Sequence, residues 1–349
     1  MTGGAGFIGS HIVDQLLQNG HEVRVLDALL PLAHRGRPDY LDPEAEFIHG
    51  DVGDPETVAR ALAGVDVVSH QAAMVGLGVD LGDAPDYVRH NDLGSAVLLR
   101  AIAAAGGVRR LVLASSMVVY GEGRYRCDEH GPVAPAPRAV ADLDRGQFEP
   151  RCPICGGSLA PEAITETARL DPRNVYAATK VHQEHLCAAA GRELGIEVIA
   201  LRYHNVYGAR MPRDTPYAGV ASIFRSALVA GRSPAVYEDG GQLRDFVHVR
   251  DVARANVAAL DLPSGTTGPF TALNIASGRP RTILEMAQAL CDAHGDGAPR
   301  PRVTGAYRLG DVRHVFAGTT RALAVLGPAQ EDFPAGIAEF AHADLRAAA

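Results

Sequence analysis

The chain has 349 residues, with 33 Lys and Arg against 41 Asp and Glu, a net charge of −8. That acidity argues against a general nucleic-acid-binding face, and 47% hydrophobic with 21% charged residues excludes a disordered chain. No apolar run approaches the ~18 residues of a membrane span and no charged-then-apolar leader opens the sequence, so the expectation is a cytoplasmic protein with reduced cysteines.

The first predicted element is a glycine turn. Gly3, Gly6 and Gly9 stand three residues apart, with Phe7 and Ile8 between them, ahead of a helix expected over about 12–19. Glycines let a backbone approach a pyrophosphate, and a helix N-terminus favours its charge. Short apolar runs at 22–26, 46–49, 65–70, 111–115 and 197–202 read as strands. Between them 56–63, 95–105 and 177–194 read as helices. This alternation predicts parallel strands with crossover helices, a doubly wound α/β sheet of the Rossmann type. Residues 122–170 break the rhythm and read as an inserted loop rich in proline, charge and cysteine. The last third is less regular, with turn clusters at 264–268 and 296–301 and helices at 283–293 and 320–326. The adjacent Arg109 and Arg110 read as surface charge.

Asp27 closes the strand at 22–26, 18 positions after Gly9. A carboxylate there can bind the adenosine ribose hydroxyls and would repel a 2′-phosphate, which favours NAD over NADP. Arg35 and Arg37 follow closely and temper that preference. Such a turn normally follows a strand, and none precedes Gly3, because the sequence opens at Met1. The expectation is a start further upstream, or poor stability without those residues.

Of the 33 cationic residues only Lys180 is a lysine. It follows Tyr176 by four positions, which puts both on one helix face. An ammonium beside a phenol lowers the tyrosine pKa towards neutrality, so the pair can take and return a proton from a sugar hydroxyl. Ser116 ends the apolar run at 111–115, where ligands bind in such sheets; Ser115 is its rival.

Cys127 and His130 form one pair and Cys152 and Cys155 another, with 21 residues between the pairs. The spacing predicts a tetrahedral zinc site, structural because protein would fill all four positions. Free thiols or a redox pair are the alternatives. Cys187 and Cys291 fall in helical patterns and are expected in the core.

The sequence resembles the extended short-chain dehydrogenase/reductase family of nucleotide-sugar epimerases and dehydratases. The resemblance rests on residues 2–11, Asp27, Asp51 with Val52, 70–73, 115–121, Tyr176 with Lys180, 202–208, 239–252, 274–278 and 308–313, in family order over nearly the whole chain. It implies that Ser116, Tyr176 and Lys180 are the catalytic triad. NAD would be held by Gly3, Gly6, Phe7, Ile8, Gly9, Asp27, Asp51, Val52, Ala72, Ala73, Asn91 and Tyr203, together with Tyr176 and Lys180. Asn205, Arg244 and Arg308 would face the nucleotide diphosphate and sugar, with Ser116 and Met117 beside the sugar. His204 and His248 fall in motifs on the sugar side. The NAD-binding Rossmann domain is expected over 1–205, returning at about 234–262. A smaller mixed nucleotide-sugar-binding domain is expected over 206–233 and 263–349. The resemblance also implies a homodimer through the helices near Ser95 and Ala177.

The family's 4,6-dehydratases carry Asp-Glu after the catalytic Thr or Ser. Here Met117 and Val118 follow Ser116, and neither side chain can do acid–base chemistry, which disfavours dehydration. The insertion narrows the resemblance further: residues 120–127, the Cys152 to Cys155 stretch, 201–208 and 214–219 are similar to the dTDP-L-rhamnose 4-epimerase group. The expected function is therefore an NAD-dependent nucleotide-sugar 4-epimerase, on dTDP-L-rhamnose or a related dTDP- or UDP-hexose. A 4-keto-sugar reductase on the same scaffold, a non-catalytic NAD-binding sensor and an inactive fragment are the alternatives.

Overall fold

The structure is a computed structural model that describes residues 1–31, 33–76, 81–213 and 219–346. From the N-terminus run α1 (Phe7–Gln18), β1 (Arg24–Asp27), β2 (Glu46–His49), α2 (Pro55–Leu62) and β3 (Val67–His70). Then come α3 (Ala84–Tyr87), a π-helical turn (Val88–Leu93), α4 (Gly94–Ala105) and β4 (Arg110–Ser116). The inserted stretch holds β5 (Arg124–Cys127), β6 (Gly131–Val133), α5 (Val140–Leu143) and β7 (Ala160–Glu162). After it follow α6 (Val175–Leu194), β8 (Glu197–Tyr203), β9 (Asn205–Tyr207), α7 (Val220–Val229), β10 (Ala235–Val236) and β11 (Leu243–His248). The chain continues through α8 (Val249–Asp261), β12 (Thr271–Ile275), β13 (Pro280–Thr282) and α9 (Ile283–His294). It ends with β14 (Arg302–Val303), α10 (Thr320–Leu326) and α11 (Phe333–His342).

Four parallel strands stand in the order β3-β4-β8-β12, and β1 and β2 form a parallel pair. Thr2 joins the two sets by bridging Leu26 and His70. The Thr2 N–H donates to the Ser69 carbonyl and the Gly3 N–H to that of Leu26. Met1 takes part as well, its carbonyl accepting from the Leu26 N–H (2.8 Å), so residues 1–3 pair with the strands on both sides.

Strand side chains alternate between the two faces. On β4 and β8, Leu111, Leu113, Val198 and Ala200 pack under α2, α4 and α6. Val112, Ala114, Ile199 and Leu201 pack on the opposite face against α1 and α8. A strand covered on both sides reads as one continuous apolar run, which is why these two were visible in the sequence. Cys187 and Cys291 are both buried in cores, as expected.

Several expectations are corrected. Helix α1 starts at Phe7 rather than near residue 12, with Gly6 as its N-cap, so Gly9 lies inside its first turn. The insertion is a small antiparallel sheet, β6-β5-β7, whose strands of three or four residues are too short to show a period. β12 falls in the range assigned to the second domain, yet it pairs with β8 at the edge of the main sheet. All five of its residues are buried, which suits a sheet covered by helices. Arg110 is fully buried rather than on the surface: it pairs with Glu197 and donates to the carbonyls of Leu260 (2.8 Å) and Leu262 (2.5 Å). No helix among the described residues is long and apolar enough to cross a membrane.

Beside the main sheet, β13-β11-β9 form a second sheet and β10 pairs with β14. Helices α7, α9 and α11 close over them around Phe224, Met286, Leu290 and Phe340.

Candidate active site

A cavity of about 670 Å³ opens at the carboxyl ends of β1, β3, β4 and β8 and extends to β11 and α7. This is where a parallel α/β sheet binds ligands, because the strand ends splay there and helix N-termini point inward.

The glycine turn forms one end. Gly3 has φ +67°, and a Cβ on it would lie 2.6 Å from the Ala72 backbone nitrogen. A Cβ on Gly9 would lie 2.1 Å from the Gly3 carbonyl oxygen. These contacts, not mobility, require glycine. No side chain caps α1 and no acid occupies its first turn. Phe7, Ile8 and Gly9 line the cavity, so the start of the helix faces it uncapped, as an anion site requires. Asp27 is 9% exposed, and its carboxylate accepts from the N–H groups of Ala5 (3.0 Å) and Leu29 (2.9 Å). The turn, the uncapped helix and the acid suit a dinucleotide with free ribose hydroxyls.

Asp51, Val52, Ala72 and Ala73 line the same end. Tyr203 also lines the cavity; its hydroxyl donates to Gln71 Oε1 (3.1 Å) and accepts from Asn256 Nδ2 (2.8 Å). Asn91 does not line it. Its amide is fully buried, donating to Thr179 Oγ1 (2.9 Å) and the Met74 carbonyl (3.0 Å) and accepting from the Met74 N–H (2.8 Å). Asn91 therefore holds the loop after β3 against α6 from behind. Arg35 and Arg37 are not in the lining either, and the Arg37 guanidinium packs 5.0 Å over the Phe47 ring. The lining holds instead His34, with Arg346 Nη1 3.5 Å from its ring, a residue that no local motif marks.

Ser116, Tyr176 and Lys180 meet at the middle of the cavity. Asn174 caps α6, its side chain accepting from the Ala177 N–H at 2.8 Å, which fixes the helix start beside Tyr176. Lys180 is 2% exposed; its Nζ donates to the Ala114 carbonyl (2.9 Å) and lies 5.9 Å from the Tyr176 ring centroid. Burial pushes the ammonium down to about 8. The expected lowering of the phenol is not seen. Burial raises Tyr176 to about 12, opposed by its hydrogen bond with Ser116. The cause is that burial of the phenol outweighs the help of its polar neighbours, while Lys180 Nζ bonds a backbone carbonyl.

Both Ser115 and Ser116 line the cavity, and their hydroxyls differ in what lies beneath. Ser115 donates to Glu184 Oε1 at 2.5 Å, inside the core. Glu184 also pairs with Arg202, through Nε (2.9 Å) and Nη2 (2.7 Å), and Arg202 Nη1 donates to the Tyr120 hydroxyl (2.9 Å). Tyr120 in turn donates to Asn274 Oδ1 (2.7 Å). This buried chain of bonds ties α6 to β8 and β12.

At the far end stand Met117, Asn205, Arg244 and Arg308. Among the described residues the buried Asn205 Oδ1 has no hydrogen-bond partner. Arg244 donates to the carbonyls of Leu243 (2.8 Å), Arg313 (2.9 Å) and Val312 (2.6 Å). Arg308 lies 5.3 Å over the Tyr237 ring. His204 lines the cavity as a neutral ring, burial having pushed it down to about 3. His248 does not line it; it caps α8 and packs edge-on against Tyr207. Glu238 and Asp311 are acids that the sequence reading did not single out; the position of Asp311, between Arg308 and Arg313, was the available hint. Residues 214–218, part of the resemblance at 214–219, lie outside the described residues.

Away from the cavity, Cys127, His130, Cys152 and Cys155 converge, their ligand atoms all within 4.8 Å of one another. Cys127 Sγ is 3.7 Å from Cys155 Sγ and 3.5 Å from His130 Nδ1, and Cys152 Sγ is 3.8 Å from His130 Nδ1. A tetrahedron with Zn–S of about 2.3 Å and Zn–N of about 2.05 Å has edges of about 3.8 Å (S–S) and about 3.6 Å (S–N). The donor set fits zinc.

The model of the NAD dependent epimerase/dehydratase family matches residues 1–139 and 154–276, pausing inside the insertion. The dTDP-L-rhamnose 4-epimerase of Burkholderia thailandensis is 34% identical, over 94% of this chain and 89% of that one. The UDP-glucose 4-epimerase of Mycolicibacterium smegmatis is 32% identical, over 94% and 91%. The crystal structure of Thermus thermophilus UDP-glucose 4-epimerase in complex with NAD superposes with a TM-score of 0.75 at 30% identity, over 97% of this chain and 96% of that one. With a family match over most of its length and relatives aligned nearly end to end, the chain belongs to the NAD-dependent epimerase/dehydratase family of enzymes.

Proposed function

We propose that the protein is an NAD-dependent nucleotide-sugar 4-epimerase acting on dTDP-L-rhamnose or a related dTDP- or UDP-hexose. The observation that carries this reading is a Ser116–Tyr176–Lys180 cluster whose next residues, Met117 and Val118, line the cavity without an acid or base. The relatives named above support the substrate class.

The glycine turn and the start of α1 would hold the pyrophosphate, Asp27 the adenosine ribose and Lys180 the nicotinamide ribose. NAD⁺ supplies, when bound, a hydride acceptor that gives the hydride back within the same turnover, and a positive charge that favours a phenolate. Tyr176 Oη takes the proton from the sugar O4, with the Ser116 hydroxyl bonded to the same oxygen, and a 4-keto sugar results. The keto sugar turns over in the cavity, and Tyr176 returns the proton after reduction from the other face. Asn205, Arg244 and Arg308 would keep the nucleotide diphosphate anchored meanwhile; arginine suits it by its forked donors.

A panel of dTDP-, UDP- and GDP-sugars incubated without added reductant tests the reading. Epimer forming with no net change in NAD is expected. Turnover only with added NAD(P)H would sink epimerisation in favour of 4-keto reduction. Bound NAD with no turnover of any sugar would favour the sensor.

The reading extends to the rest of the chain. The dinucleotide-binding part is taken as 1–205 with about 234–262 and with β12 joined to it; the remainder serves the nucleotide sugar. Cys127, His130, Cys152 and Cys155 would hold a structural zinc, supported by the tetrahedral edges above. A reducing, cytoplasmic setting keeps such thiols available as ligands. A homodimer is supported by Val88 and Leu93, which are 48% and 52% exposed on the approach to α4.

A further inference from the structure

No residue between Gly121 and Arg173 lines the cavity, yet both arms of the insertion grip its wall from behind. On the first arm, the Tyr125 hydroxyl, two residues before Cys127, accepts from the His314 N–H (3.1 Å) and donates to Glu122 (2.7 Å). Glu122 also accepts from the Arg313 N–H (2.7 Å). On the second arm, Glu149, three residues before Cys152, accepts from Arg313 Nε (2.8 Å) and bonds His314 Nε2 (2.9 Å). Between the arms, Arg138 pairs with Glu238 (2.8 Å) and donates to the Asp311 carbonyl (2.7 Å).

Glu238 and Asp311 line the cavity, and the Arg313 carbonyl is one of those that hold the Arg244 guanidinium. The side chains of Arg138, Glu238 and Arg313 are 5%, 2% and 3% exposed. A buried charge set of this kind tolerates little displacement, because a lost partner leaves an uncompensated charge. The stretch that carries Arg138 and Glu149 runs from Cys127 to Cys152, two members of the metal cluster. Cross-linking its ends removes conformational freedom that the open stretch would otherwise lose on docking.

We propose that a metal ion on Cys127, His130, Cys152 and Cys155 positions the nucleotide end of the cavity, with Arg138 and Glu149 as the positioning residues that transmit it. The proposal rests on the zinc and nucleotide-sugar readings above. Its reach is one-sided: outside the insertion, the described contacts of Arg138 and Glu149 fall on 238, 311, 313 and 314, and none on the glycine turn or Asp27.

The test uses the full chain with its bound NAD. Zinc per chain, NAD released on denaturation, and the Kd values of dTDP and UDP are measured before and after treatment with a chelator. The expected result is one zinc per chain, NAD retained on its removal, and dTDP and UDP bound about tenfold more weakly. Reloading with zinc should restore affinity, and reloading with Co²⁺ should do so with the visible bands of a tetrahedral thiolate site. Arg138→Gln should keep its zinc and show the same weakening, which guards against loss of fold in the metal-free chain. Coupling is reciprocal, so saturating dTDP or UDP should slow zinc release to the chelator. Zinc present with affinities unchanged on its removal overturns this inference alone. No metal bound after reconstitution overturns the zinc reading on which it stands. Failure of the untreated protein to bind either nucleotide overturns the nucleotide-sugar reading instead.

Discussion

At the scale of single residues the site turns on where one lysine points. Lys180 Nζ bonds the Ala114 carbonyl, and its burial favours the neutral amine. The ammonium is therefore lost as pH rises through about 8, not through the 10.5 of a free lysine. Under the proposed mechanism kcat/KM should fall above about pH 8, and a profile flat to pH 10 would refute that role for Lys180. The same shift acts oppositely on stability. Between about 8 and 10.5 the unfolded chain binds the proton and the folded one does not, so this group makes the fold more stable as pH rises. Tyr176→Phe should cut kcat by about 10²–10⁴-fold, the size of a general acid–base contribution, while nucleotide binding and NAD content stay as they were. Activity surviving in that variant would remove Tyr176 as the base.

At the scale of elements, α6 is the part that organises the site. Tyr176, Lys180 and Glu184 follow at four-residue spacing, so one helix face carries the phenol, the amine and a buried acid. Glu184 is 1% exposed and holds both Ser115 and Arg202. Glu184→Ala would strand the Arg202 guanidinium in the core, for which the expected loss is about 3–5 kcal/mol. Urea unfolding should read that loss as a lower midpoint at unchanged slope. A midpoint equal to that of the unaltered chain would mean that Arg202 finds compensation elsewhere, in Tyr120 or the Glu166 carbonyl.

At the scale of the whole molecule, the cavity lining runs from Gly3 to Arg346, so almost the full chain is needed to enclose one substrate. The proposed dimer belongs to this scale as well. Light scattering should return twice the 36.7 kDa of one chain. Leu93→Arg, a charge placed on the exposed approach to α4, should bring that mass down to one chain. A single-chain mass for the unaltered protein would exclude the dimer.

Much of the site was legible because its signals are local. Gly3 and Gly9 are demanded by contacts within a few residues or with the adjacent strand end. Asp27 closes its own strand, and Tyr176 and Lys180 share one turn of helix. β4 and β8 showed as apolar runs because helices cover both faces. β5, β6 and β7 did not show, since three or four residues cannot display a period. Neither could the sequence reveal that Asn91 and Ser115 turn inward, that Arg110 is buried, or that Arg346 comes to rest beside His34. It could not show Arg138 meeting Glu238, 100 positions away, behind the cavity wall. By itself, then, the sequence determined the parallel α/β plan, the glycine turn, the pairing of Tyr176 with Lys180 on one helix face and the spacing of the four Cys and His residues, all set by short-range sterics and helical or strand periodicity. The tertiary structure alone decided that the Ser115 hydroxyl is held by Glu184, where the lysine's charge points and what supports the wall, because long-range packing brings those partners together.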